Sequence, residues 1–69
     1  MANINEALQE IKRVGASNAR VVPCDDAAGR SQVEVREGGQ WRVLEATKGL
    51  SQRMAEDLIQ QAVNKVILG

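Results

Sequence analysis

The chain has 69 residues, nine basic and nine acidic, with no histidine, a single cysteine and Trp41 as its sole aromatic. That length suits one domain spanning 1–69, and the cancelled charge argues against a dedicated nucleic-acid binder, which draws most of its affinity from neutralising phosphates. Cys24 has no partner for an intrachain disulfide, and one thiol beside Asp25 and Asp26 is not a tetrahedral site, so no metal or other cofactor is expected.

Residues 3–15 read as the first helix. Ile4, Leu8, Ile11 and Val14 recur at spacings of four, three and three, one stripe at helical period. Asn3 followed three residues later by Glu6 has the form of a capping box, and Gly15 is a stop signal. Residues 19–24 read as a short strand, placed at a sheet edge because Pro23 cannot donate to a ladder. A loop rich in Asp, Ala and Gly follows from Asp25 to Arg30. Residues 31–36 alternate strictly and form the second strand. Gly38-Gly39 is a hairpin turn, since both central positions of a type I′ turn need positive φ. The third strand is expected over 40–46. Ser51 is the expected N-cap of a last helix, which runs to about Leu68 with Ala55, Leu58, Ile59, Ala62 and Val66 on its core side. Ile59, Val63 and Ile67 make a second apolar row, which serves either core burial or self-association.

The order helix, three strands, helix implies an α+β domain: α-β-β-β-α, a three-stranded antiparallel sheet with both helices packed on one face. The sheet has one face to offer two apolar stripes, so the other is left to solvent. A two-residue turn pairs Arg36 with Trp41, Glu34 with Val43 and Val33 with Leu44. Alternation then puts Val33, Val35 and Leu44 on the core face and Glu34, Arg36, Trp41 and Val43 on the open one. A one-residue slip would reverse this. An open-face Trp41 beside Arg36 is either a cation–π pair on the surface or an interface for a protein partner or a second copy, with Arg36, Trp41 and Val43 as its candidate residues.

Catalysis is not expected. Without His or Tyr, acid–base chemistry falls to carboxylates and Lys. Cys24 has no histidine to activate it and reads as a half-buried strand residue. Gly38-Gly39 is not followed by Lys-Ser or Lys-Thr, so it is no phosphate loop. The apolar runs are too short to span a membrane, and the N-terminus has neither the basic segment nor the apolar stretch of a signal peptide. A reduced, cytoplasmic setting is expected.

Three stretches carry a family resemblance. Ala7-Leu8-Gln9-Glu10 looks like the Leu-Gln-Glu segment of the ribonuclease III branch of double-stranded-RNA-binding domains. Val33-Glu34-Val35-Arg36 with Gly38-Gly39 is similar to that family's second strand and hairpin. Gly49-Leu50-Ser51-Gln52-Arg53-Met54-Ala55 stands where the family has Gly-x-Ser-Lys-Lys-x-Ala. The resemblance implies duplex contacts from the first helix, from the loop between strands one and two, and from the start of the last helix. Here those positions hold Gln9 and Glu10, then Arg30, then Lys48 and Arg53. The loop departs from the family's Gly-Pro-x-His, and Glu56 replaces a phosphate-binding cation. The expected function is therefore a small non-catalytic module, a protein-binding adaptor or inhibitor of the size of a virus or plasmid accessory protein. The alternative expectation is weak binding of duplex RNA through the first helix, Arg30 and the start of the last helix.

Overall fold

The computed structural model describes the backbone of residues 3–68 and the side chains of residues 3–63. In chain order it contains α1 (Ile4–Val14), a short 3₁₀ turn (Ala16–Asn18), β1 (Ala19–Pro23), β2 (Ser31–Glu37), β3 (Gln40–Val43), a second 3₁₀ turn (Glu45–Thr47) and α2 (Gln52–Leu68). The strands form one antiparallel sheet in the order β1-β2-β3.

Helix starts follow from their caps. The Asn3 side chain accepts from the Glu6 backbone N–H at 2.9 Å, and the Glu6 carboxylate accepts from the Asn3 N–H at 3.0 Å, completing a reciprocal capping box. The Ser51 hydroxyl accepts from the Met54 N–H at 3.2 Å, as an N-cap does. Gly38 and Gly39 have φ of 62° and 79°, the signs a type I′ hairpin requires. The turn fixes the register: Glu34 opposite Val43, Val35 opposite Arg42, Arg36 opposite Trp41.

That register sends Val33, Val35 and Leu44 into the core, and both helices close over them. The buried cluster joins Ala7 and Ile11 of α1 with Ala55, Leu58 and Ala62 of α2 around these three residues. Both helices therefore share one face of the sheet. Ile11, Val33 and Val35 are fully buried. With so few large side chains inside, each contributes appreciably, about 1.5–3 kcal/mol for one fully buried aliphatic. Helix α1 does not present its expected stripe evenly. Ala7 and Ile11 are buried and Leu8 and Val14 flank them, whereas Ile4 is 40% exposed. Of the rows expected on α2, Ala55, Leu58 and Ala62 are buried and Ile59 packs at the margin of the cluster. Val66 and Ile67 lie outside the described side chains. Cys24 is buried and sits just beyond β1, more enclosed than the half-buried strand position expected of it.

The third strand is shorter than its sequence pattern. It ends at Val43 and not at Ala46, because Thr47 competes for the ladder. The Thr47 hydroxyl is fully buried. It accepts from the Val33 N–H at 2.9 Å and donates to the Leu44 carbonyl at 2.6 Å. Leu44 still donates to the Val33 carbonyl at 2.9 Å, after which the chain winds into the 3₁₀ turn. Beyond it, Gly49 and Leu50 return to the start of β2: Gly49 N–H donates to the Ser31 carbonyl at 3.1 Å and Ser31 N–H to the Leu50 carbonyl at 2.7 Å.

Thr47→Val keeps the shape and removes the hydroxyl, leaving the Val33 N–H buried without its acceptor. Urea unfolding should show a loss of about 1–3 kcal/mol, and Thr47→Ser should recover most of it.

Candidate functional site

Opposite the helices, the sheet presents Arg20 and Val22 from β1, Gln32, Glu34 and Arg36 from β2, and Trp41 and Val43 from β3. Pairing aligns Arg20, Glu34 and Val43 in one row and sets Arg36 against Trp41. The Arg20 Nε and Nη2 both donate to Glu34 Oε1, at 3.0 and 2.8 Å. So held, the Arg20 guanidinium carbon lies 3.9 Å from the Trp41 ring centroid, and that of Arg36 lies 5.7 Å away. Both distances are within cation–π range. Arg36 also donates from Nη2 to Asn18 Oδ1 at 3.3 Å. Trp41 and Val43 are half-buried, and Gln32 is buried with its amide directed to Glu34 at 3.4 Å. The expected trio Arg36, Trp41 and Val43 is thus gathered on one uncovered face. The closer guanidinium on the indole is Arg20, not the expected Arg36. Sequence reasoning missed it because β1 and β2 are joined by a loop whose register no short turn specifies.

The residues matched to duplex contacts fall in two places. The Ser31–Leu50 bridge brings the β1–β2 loop beside the start of α2, placing Arg30, Lys48 and Arg53 at one end of the molecule. Lys48 Nζ lies 3.3 Å from Asp26 Oδ2 and 3.5 Å from Glu45 Oε1. Its pKa is raised, first by the hydrogen bond it donates to Asp26 and then by the charge of Glu45. Arg30 and Arg53 are exposed and form no ion pair among the described residues. Asp25, Asp26, Glu45, Glu56 and Asp57 outnumber the three cations in these segments.

On α1, Gln9 is exposed, but Glu10 turns toward the sheet. Arg13 and Arg42 both donate to its carboxylate, and both donate as well to Glu37 at the hairpin end of β2. The four side chains form a closed ionic ring tying α1 to the hairpin. The hydrogen bond from Arg13, then that from Arg42, holds the Glu10 carboxyl down at about 2, and the same two partners in the same order do so for Glu37. In the sequence Glu10 is legible only as a first-helix surface position, with nothing local to assign it these partners. Arg42 and Glu37 join because their positions alternate onto the helix side of the hairpin.

Between α1 and the end of β3 lies a cleft of about 240 Å³ lined by Ala7, Glu10, Arg42, Val43, Leu44 and Ala46, with Asn3, Glu6 and Glu45 completing its rim. A second hollow, of about 150 Å³, opens between α1 and the first turns of α2 and includes Ile4 and Met54. Among the described residues, no group of three or more Cys, Asp and Glu is placed to hold a metal ion. None of the described helices is long and apolar enough to cross a membrane. Comparison with protein-family models, with curated proteins and with solved structures found no match.

Because Glu10 and Glu37 have folded pKa values below their ordinary value of 4.5, the ring's contribution is complete above that value. It is lost as pH falls toward 2. The partners are solvent-exposed, so the effect is small and screened by salt. Urea midpoints measured from pH 6 to pH 2 should fall more steeply for the wild type than for the Glu10→Gln, Glu37→Gln double variant. High salt should narrow the difference.

Proposed function

We propose that this chain is a non-catalytic protein-binding module that engages a partner protein through the open sheet face. The observation that carries this reading is the uncovered face itself, where Trp41 and Val43 lie among Arg20, Glu34 and Arg36. Interface hot spots draw on tryptophan and arginine because both bury large surfaces while keeping directional contacts. The Arg20 charge is matched by Glu34. Among the described residues, Arg36 has only the neutral Asn18 amide as its hydrogen-bond partner. A partner suited to this face offers a carboxylate to Arg36 beside an apolar side chain for Trp41 and Val43. On this reading the chain acts as an adaptor or inhibitor, with the partner set by that complementarity.

A second reading, weak binding of duplex RNA, is favoured by one observation: the β1–β2 loop and the start of α2 sit side by side, as in the double-stranded-RNA-binding domains that the sequence resembles. Its electrostatics are poor. Lys48 is already paired, Glu10 is enclosed by two arginines, and the remaining cations stand among more numerous carboxylates. Phosphate binding depends on charges available to displace counterions.

Two measurements separate the readings. An RNA duplex of about 20 base pairs, longer than the ~16 that such a domain spans, should produce no saturable anisotropy change at low salt. Saturable binding that is lost in Arg53→Ala would favour the second reading. Proteins retained by the immobilised wild type should be released by Trp41→Glu or Arg36→Glu, with affinity reduced by about 30-fold or more, and should persist with Arg53→Ala. Retention unaffected by both open-face changes overturns the proposal.

A further inference from the structure

We infer that the cleft between α1 and β3 receives a basic side chain, lysine or arginine, from a partner polypeptide; this rests on the protein-binding reading above. Its size is the first reason. At about 240 Å³ it falls below the ~300–1,000 Å³ of small-molecule and cofactor sites, and it suits a single long side chain. Its construction is the second. Ala7, Leu44 and Ala46 supply an apolar lining that β3 borders at Val43, and Glu6, Glu10 and Glu45 set carboxylates around its rim from two separate elements. Lysine and arginine have this amphipathic form, an aliphatic stem ending in a cation.

The charges around the cleft have unequal roles. Arg42, the one cation in the lining among the described residues, is bound to Glu10 and Glu37, which leaves Glu10 matched. Glu6 accepts the Asn3 N–H and has no cation beside it among the described residues. Glu45 is two-thirds exposed, and its nearest cation, Lys48, is closer to Asp26. Glu6 and Glu45 are therefore the carboxylates with charge to offer an incoming ammonium or guanidinium. Val43 borders both the cleft and the open sheet face, so one partner segment crossing the β3 edge reaches both.

The test uses a capped Ala-Lys-Ala tripeptide, with its norleucine counterpart as a control that keeps the stem and lacks the cation. Backbone amide shifts are followed by NMR on the whole chain at low salt. The lysine peptide should shift the amides of Ala7, Leu44 and Ala46 in the millimolar range. Glu6→Gln and Glu45→Gln should each weaken it by about threefold, the size of one exposed ion pair. Glutamine at position 6 still accepts the Asn3 N–H, so α1 keeps its cap. Glu56→Gln should change nothing. No shift at these amides, or equal shifts with the norleucine peptide, overturns the inference. So does binding indifferent to Glu6→Gln and Glu45→Gln. The cleft variants spare the open face, so a cleft that fails while partner retention still depends on Trp41 sinks only this inference. Retention indifferent to Trp41 with a working cleft sinks only the broader reading.

Discussion

The hydroxyl of Thr47 occupies the core at the place where a strand residue would otherwise stand. By accepting the Val33 N–H and donating to the Leu44 carbonyl, it satisfies the flank of β2 after β3 has left it. A buried amide without a partner is costly, so the chain can turn away at Val43 only because this side chain completes the ladder. The turn that follows sets Ala46 against α1 and carries Gly49 and Leu50 back to Ser31. Both the cleft beside α1 and the seating of the β1–β2 loop next to α2 descend from that one substitution of side chain for backbone.

Among the described residues, about half of the charged side chains are spent on one another. Glu10, Arg13, Glu37 and Arg42 bind one another across the helix–hairpin junction, Arg20 binds Glu34 on the open face, and Lys48 binds Asp26. Exposed pairs of this kind add little stability individually. Their larger effect is on what the surface offers: an arginine that is already hydrogen-bonded to a carboxylate is a poor phosphate ligand. The neutral balance of the composition is realised by local pairs only in part: among the described residues Lys12, Arg30, Arg36 and Arg53, and Glu6, Asp25, Glu56 and Asp57, form no ion pair.

Much of the fold could be read from the residues, because the decisive signals were local. Asn3 with Glu6 announced a cap, Gly38-Gly39 fixed a hairpin, and the alternation of 31–36 chose its inward face. The end of β3 could not be read that way. Gln40 to Ala46 look like a strand, and the choice between ladder and turn was made by a threonine whose hydroxyl acts on a residue fourteen positions away. The same holds for the surfaces. Arg36, Trp41 and Val43 were legible as one group because a two-residue turn dictates their register. Arg20, the closest cation to the indole, was hidden by a loop of undetermined pairing. Glu10 looked like a free helix-face group until the fold brought Arg42 against it.

The sheet's two outer strands are both poor templates. Pro23 removes a donor at the end of β1, and β3 has only four residues before the chain coils out of plane. A naked strand margin invites edge-to-edge pairing with other chains, and short or proline-interrupted margins discourage it. The early exit of β3 thus shortens the margin on which another chain could pair, while one broad side of the sheet stays bare.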